Sequence, residues 1–141
     1  MNVVVIYESM RGHTRAAAEM IAGISLPAGI DVSVRDSTDL DFTELSAADL
    51  IFVGSWTDGL FFFGQKPGNA FKLKASIPVL DRKRVAVFCT YAVNAGKTAE
   101  KLAKMMEEKG ADVVATASLH RDLDEEVVRD FVADALDAVS V

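Results

Sequence analysis

Cysteine and long apolar runs are both scarce in this sequence of 141 residues. Its one cysteine, Cys89, cannot form an internal disulfide, so no disulfide framework is expected. No apolar run approaches the roughly 20 residues that a membrane-spanning helix needs. The first residues also lack the basic leader and apolar core of a signal peptide. We therefore expect a cytoplasmic protein that does not enter the membrane.

Basic residues are too few for some classes of partner. The chain has 15 lysines and arginines against 21 aspartates and glutamates, which gives a net charge of −6. Nucleic-acid binding depends on clustered basic side chains, so nucleic acid is not an expected partner. Acidic residues concentrate in segments 36–49 and 122–137. Such segments are typical of solvated faces, and a docking surface for a basic partner is the alternative.

Apolar runs alternate with segments of helical period along the whole chain, and no repeat or linker interrupts them. A chain of this length can bury about two-thirds of its unfolded surface as one domain, so we predict a single domain over residues 1–141. The alternation predicts a parallel sheet with helices on both faces. Strands are predicted over residues 2–7, 30–35, 50–54, 84–89 and 112–117. Helices are indicated by apolar spacing at Ala17, Met20, Ile21 and Ile24, at Ala99, Leu102, Ala103 and Met106, and at Val128, Phe131, Val132 and Ala135.

Strand composition predicts the order of the sheet. The first, third and fourth strands are continuous apolar runs, as is typical of strands covered on both faces, whereas the second alternates apolar and polar residues. This composition fits the order 2-1-3-4-5 and not the dinucleotide-binding order 3-2-1-4-5-6, which would bury the second strand. We therefore predict an α/β fold, a three-layer sandwich around a five-stranded parallel sheet. Its ligand crevice is expected at the carboxyl ends of strands one and three.

The loop after the first strand, residues 9–14, has the features of an anion-binding loop. Gly12 permits a tight turn, and the free N–H groups of the following helix can bind an anion. Ser9 and Thr14 add hydroxyl groups, and Arg11 adds positive charge. Capping of the helix by Ser9 or Thr14 is the alternative interpretation.

Aromatic residues follow the third and fourth strands. Trp56 stands just past the end of the third strand, where a planar ligand could stack on it. The block Leu60, Phe61, Phe62 and Phe63 follows, and such a block is more typical of a core or a subunit interface than of a ligand wall. The loop after the fourth strand brings a second ring, Tyr91, together with Asn94 and Gly96.

With an anion loop after strand one and aromatic residues after strands three and four, the chain resembles the flavodoxin family of FMN-binding electron carriers. In that family the first loop reads Ser/Thr-x-Thr-Gly-x-Thr and wraps the FMN phosphate; here it reads Ser9-Met10-Arg11-Gly12-His13-Thr14. The resemblance extends over essentially the whole chain, in its short-chain form, and implies that Trp56 and Tyr91 flank the flavin ring. The FMN-binding residues that it implies are Ser9, Met10, Arg11, Gly12, His13, Thr14, Ser55, Trp56, Thr57, Asp58, Gly59, Thr90, Tyr91, Asn94 and Gly96.

Two departures from the family pattern bear on function. Arg11 replaces a threonine, and Thr57 stands where the family has a glycine after the second-loop aromatic residue. In flavodoxins that glycine lets a peptide reorient between redox states of the flavin. A β-branched residue adopts the positive-φ conformation only at a cost. We therefore expect this reorientation to be hindered at Thr57 unless it is shifted to Asp58 and Gly59.

The resemblance implies a protein that binds FMN non-covalently and passes electrons between a reductase and an acceptor, the flavin supplying the redox chemistry. Two alternatives stay open. One is an FMN-dependent two-electron reductase of the quinone type, in which Phe61, Phe62 and Phe63 line a substrate pocket or a homodimer contact. The other is a flavodoxin-like binding module that has lost its flavin, which the two departures would allow.

Other chemistries find less support in the residues. The segment YAVNAGKT, residues 91–98, ends like a nucleotide-binding loop, but Tyr91 replaces the first glycine of that motif. Gly54 and Ser55 stand where a phosphoacceptor domain needs an aspartate. His13 and His120 are single and far apart, so no metal site is expected. Cys89 ends a buried strand without a neighbouring base and is interpreted as a packing residue.

Overall fold

A computed structural model describes residues 1–59 and 64–140 of the chain. Its strands are β1 (Asn2–Tyr7), β2 (Asp31–Asp36), β3 (Leu50–Asp58), β4 (Lys66–Pro67), β5 (Arg84–Tyr91) and β6 (Asp112–His120). Its helices are α1 (His13–Ser25), α2 (Phe42–Ala47), α3 (Ala70–Ser76), α4 (Thr98–Glu108) and α5 (Glu125–Val139), and a single 3₁₀ turn spans Leu26–Ala28.

The long strands form one sheet in the order β2-β1-β3-β5-β6, and all of their pairings are parallel. Counting the long strands along the chain, this order is 2-1-3-4-5, so the predicted fold class is confirmed. The short β4 lies off this path and pairs antiparallel with the end of β3. After β2 the chain crosses to the other side of β1 and adds its next long strands there, so the strand order reverses between β1 and β3. Such a reversal places a crevice at the carboxyl ends of these two strands.

Two apolar cores cover the two faces of the sheet. On one face α1 and α5 pack on the strands, and the rings of Phe52 and Phe131 meet edge to face with centroids 5.5 Å apart. On the other face Leu73 of α3 and Leu102 and Met106 of α4 pack against Ile51 and its neighbours. The helical spacing read from the sequence therefore predicted the buried faces of α1, α4 and α5. None of the helices in the described ranges is both long and apolar enough to cross a bilayer.

The strands of the sheet run further than the apolar runs predicted. β3 continues to Asp58, four residues past its predicted end, and β5 and β6 continue to Tyr91 and His120. The extra residues of β3 are held by partners in the structure, because Trp56 pairs with Thr90 and Asp58 pairs with Lys66 of β4. Their polar or aromatic side chains carry no period-two apolar signal. The short helices α2 and α3 were not predicted either.

Gly23 offers a test of the helical conformation of α1. It is exposed, and a Cβ atom at this position would meet no atom within 4 Å. Alanine loses less backbone entropy than glycine in a helix, so Gly23→Ala should stabilise the protein by about 0.5–1 kcal/mol. A raised midpoint of urea unfolding checks this prediction, and a lowered one would contradict it.

Candidate functional site

A cleft of about 290 Å³ lies at the carboxyl ends of the central strands. Four segments contribute to its wall: the loop after β1, the end of β3, the end of β5 and the residue that follows β6. The residues that line it are Ser9, Met10, Arg11, His13, Thr14, Trp56, Thr57, Asp58, Gly59, Thr90, Tyr91, Ala92 and Arg121. The structure thus brings together most of the candidate residues named from the sequence.

The loop after β1 turns sharply into α1. Gly12 precedes the helix with φ of 92°, a left-handed conformation that favours glycine. The Ser9 hydroxyl accepts hydrogen bonds from the N–H groups of Gly12, at 3.0 Å, and of Arg15, at 3.4 Å. Ser9 therefore does cap the start of α1. A hydroxyl that accepts in this way keeps its own hydrogen for a further bond.

Glu8 directly precedes this loop and is buried, which no sequence pattern indicated. Its carboxylate accepts from the Ser37 hydroxyl at 2.5 Å, from Lys72 Nζ at 3.3 Å and from Asn69 Nδ2 at 3.4 Å. Its backbone N–H donates to the carbonyl of Gly54. Glu8 thus ties the start of the loop to β3, to the segment after β2 and to α3.

Thr14 connects the first loop to β5. Its hydroxyl lies 2.9 Å from the Thr90 hydroxyl, and both side chains are buried. One hydroxyl of such a pair donates to the other, so one further hydrogen remains available on the pair. The hydroxyl of Thr14 therefore has a structural partner, in addition to any role in binding an anion.

The Thr14–Thr90 pair gives a double-mutant prediction. Thr14→Val keeps the shape of the side chain but leaves the buried Thr90 hydroxyl without this partner, at an expected loss of about 1–3 kcal/mol in the free energy of unfolding. Adding Thr90→Val removes the second polar group, so part of the loss should be recovered. Urea unfolding of the two single variants and the double variant measures the coupling. Additive losses would show that the two hydroxyls do not act as a pair.

The end of β3 and β4 together hold Trp56 in the cleft wall. The N–H of Gly68 donates to the Trp56 carbonyl at 2.6 Å, and the Ser55 hydroxyl donates to the Gly68 carbonyl at 2.7 Å. A Cβ atom on Gly68 would lie only 2.0 Å from the indole ring, so the ring packs directly on the glycine backbone. Trp56 Nε1 and Thr57 Oγ1 are buried and have no hydrogen-bond partner among the described residues.

Positive φ in this segment falls on Gly59 and not on Thr57. Thr57 lies in extended conformation within β3 and pairs with Pro67. Gly59 has φ of 142°, and a Cβ atom there would lie 2.7 Å from the Gly64 carbonyl oxygen. If a peptide of this segment reorients, the geometry therefore favours the shifted position near Gly59 over Thr57.

Several candidate residues do not line the cleft. Ser55 is a buried residue of β3, and Gly12 provides the tight turn of the first loop. Asn94 Oδ1 accepts from the Gly96 N–H at 2.9 Å, and Gly96, with φ of 52°, lies against the side chain of Gln65. These last two residues brace the loop after β5. The apolar block of residues 60–63 lies outside the described residues.

Ala92 and Arg121 line the cleft but were missed from the sequence. Arg121 follows β6, and its N–H donates to the Tyr91 carbonyl at 2.8 Å. Only the three-residue extension of β6 brings it beside Tyr91, and no local pattern marked that extension. Arg11 and Arg121 outnumber the one carboxylate of the lining, Asp58, in a chain of net charge −6. The cleft is therefore suited to an anionic ligand.

Cys89 and the metal-ligating residue types bear on nucleophilic and metal chemistry. Cys89 is buried, and burial raises the pKa of its thiol, which lowers the fraction present as the nucleophilic thiolate. Its sulfur lies 3.5 Å from the Ser118 hydroxyl. Residues 1–59 and 64–140 contain no group of three or more His, Cys, Asp or Glu side chains that could hold a metal ion.

Comparison with known proteins gives a consistent likeness, although no family model matches the chain. It is 26% identical to a flavodoxin of Clostridium beijerinckii over 128 residues, 91% of this chain and 92% of the other. A flavodoxin structure from the domain Archaea superposes with a TM-score of 0.75 at 28% identity, over 100% of both chains. Oxidised flavodoxin 1 of Bacillus cereus superposes with a TM-score of 0.73 at 25% identity, over 97% of this chain and 98% of the other. Since these likenesses extend over nearly the whole fold, the chain is a short-chain flavodoxin-like protein.

Proposed function

We propose that this protein binds FMN non-covalently in the cleft and carries electrons between a reductase and an acceptor protein. The observation that carries the proposal is the pairing, in one cleft, of an anion-binding helix start with two aromatic side chains. The flavodoxin relatives support it. Bound FMN would supply the one- and two-electron chemistry that protein side chains lack. A cytoplasmic location and a single domain over residues 1–141 are part of the proposal.

The loop after β1 and the start of α1 fit a phosphate group. The N-terminus of a helix carries about half a positive charge and unpaired N–H groups, and the first turn of α1 has no acidic residue to oppose an anion. Arg11 and His13 lie on the cleft wall beside this helix start. In the proposal the Ser9 hydroxyl hydrogen and the free backbone N–H groups of the first turn bind the phosphate, Gly12 provides the tight turn, and Arg11 adds a charge-assisted contact.

The ends of β3 and β5 fit a planar ring. Trp56 and Tyr91 both line the cleft, and each is held by backbone hydrogen bonds to a neighbouring segment. In the proposal these rings lie against the flavin and exclude water from it, while Thr57, Asp58 and Gly59 present polar and backbone groups to its edge. A rigid wall of this kind holds the ring in one orientation.

The alternatives differ in what supports them. A quinone-type reductase or a homodimer built on Phe61, Phe62 and Phe63 rests on residues 60–63, which lie outside the described residues. The other alternative, a module that has lost its flavin, rests on the two departures from the family pattern, Arg11 and Thr57. Arg11 lines the cleft as a cation suited to a phosphate, and Gly59 has a conformation that Thr57 cannot readily adopt. The described residues thus support flavin binding, and the flavodoxin relatives favour an electron carrier over the alternatives.

Identification of the bound ligand tests the proposal. The purified protein should be yellow, or its apo form should become so with FMN, and denaturation should release a compound with the mass of FMN. Apo-protein that leaves the fluorescence of FMN unchanged at millimolar concentration would overturn it.

A second experiment separates a carrier from a reductase. A carrier should not oxidise a nicotinamide coenzyme with a quinone unless a separate reductase is added. Turnover by the protein alone would favour the reductase.

A further inference from the structure

His120 lies behind the wall of the cleft, and each of its ring nitrogens meets a backbone group. His120 Nε2 lies 2.9 Å from the Ala92 carbonyl oxygen, and the Asp122 N–H donates to Nδ1 at 3.0 Å. Its ring meets the ring of Tyr91 edge to face, with centroids 5.4 Å apart. Tyr91 and Ala92 are themselves lining residues of the cleft.

These contacts determine which nitrogen carries the proton. Because Nδ1 accepts from a backbone N–H, the hydrogen of the neutral ring must be on Nε2, and Nε2 then donates to the Ala92 carbonyl. The two backbone partners lie on different segments, one after β5 and one after β6. The imidazole is therefore a bridge between these two segments.

The contacts of His120 favour a role in the cleft over a role in the core. Its side chain is 41% exposed, so it buries little apolar surface. The Arg121 N–H donates to the Tyr91 carbonyl, which adds a backbone bond next to the imidazole bridge. Both β-segments that the imidazole joins contribute lining residues, Tyr91 and Ala92 on one side and Arg121 on the other.

We propose that His120 is a positioning residue of the ligand site, one that fixes Tyr91 and Ala92 against the bound FMN ring through its two hydrogen bonds and its ring contact. The effect on the ligand rests on the proposed function. The effect on the loop after β5 does not, because the hydrogen bonds are within the protein. His120 does not itself line the cleft, so it acts through Tyr91 and Ala92.

Two substitutions separate positioning from general stability. His120→Ala removes both hydrogen bonds and the ring, and should weaken FMN binding about tenfold. Glutamine carries an amide donor and a carbonyl acceptor with a spacing similar to that of the two imidazole nitrogens, so His120→Gln should restore affinity to within about threefold of the unaltered protein. The control is Arg84→Ala, which removes a hydrogen bond to the Ala138 carbonyl at the opposite end of β5 and should leave FMN affinity unchanged.

The measurements are FMN affinity by fluorescence quenching, the urea midpoint of each variant, and ¹⁵N NMR of the imidazole. In apo-protein the NMR spectrum should show the Nε2–H tautomer, and amide exchange near residue 92 should speed up in His120→Ala and recover in His120→Gln. An Nδ1–H tautomer, or unchanged exchange in His120→Ala, would overturn the proposal. Alanine and glutamine variants with equal FMN affinity would also overturn it. If the unaltered protein fails to bind FMN while the NMR results are as expected, the proposed function fails and the bridge stands.

Discussion

FMN is expected to bind this protein about a thousandfold more tightly than riboflavin. The two ligands share the ring and differ in the phosphate, which the loop after β1 and the start of α1 are placed to bind. A hydrogen bond to a charged group contributes about 1.5–3 kcal/mol, so two such bonds account for roughly a thousandfold. Titration of apo-protein with each flavin, followed by fluorescence, measures the ratio. Equal affinities would remove the phosphate site from the proposal.

Arg11 should account for part of the preference for FMN over riboflavin. Arg11→Ala should weaken FMN binding by about 1–3 kcal/mol if the guanidinium contacts the phosphate, and should leave riboflavin binding unaltered. Arg15→Ala is the matched control, since Arg15 is an exposed arginine of the adjacent helix α1 and is paired with Glu19 at 3.1 Å. An equal loss for both flavins in Arg11→Ala would indicate damage to the loop and not a lost phosphate contact.

The sequence predicted those parts of the fold that local patterns encode. β1 has the predicted bounds, residues 2–7, because a run of buried apolar residues is flanked by polar ones on both sides. β3 is longer than predicted because Thr57 and Asp58 pair with β4, a two-residue strand further along the chain that local periodicity does not reveal. The short α2 has only a capping signal, in which Asp41 accepts from the Glu44 N–H at 3.1 Å.

The candidate site also contains residues that local patterns predict and residues that depend on contacts between distant segments. The loop at residues 9–14, Trp56 and Tyr91 follow strand ends, and parallel strands bring such ends to one edge, so their meeting was predictable. Ala92 and Arg121 depend on how far β5 and β6 extend. Gly68 could not be recognised at all, because its importance comes from contact with the Trp56 ring twelve residues away along the chain.

Gly68→Ala is the second substitution for which a large effect is expected. The new Cβ atom would lie 2.0 Å from the indole of Trp56, far inside contact distance. The glycine backbone cannot easily retreat, because its N–H and carbonyl are both bonded, to Trp56 and to Ser55. The indole must therefore leave its place in the cleft wall. We expect a loss of about 1–3 kcal/mol in the free energy of unfolding from overpacking, and FMN binding weakened at least about tenfold.

Tryptophan fluorescence reports this displacement directly, because Trp56 is the one tryptophan in the chain. In apo Gly68→Ala the emission should shift to longer wavelength as the half-buried indole becomes more exposed to water. Gly23→Ala adds the same methyl group in open space on α1, so its emission and FMN affinity should equal those of the unaltered protein. If Gly68→Ala keeps both the emission and the FMN affinity of the unaltered protein, the indole has room to move without consequence. That result would contradict the proposal that the β3–β4 pair fixes the Trp56 ring in the cleft wall beside the ligand.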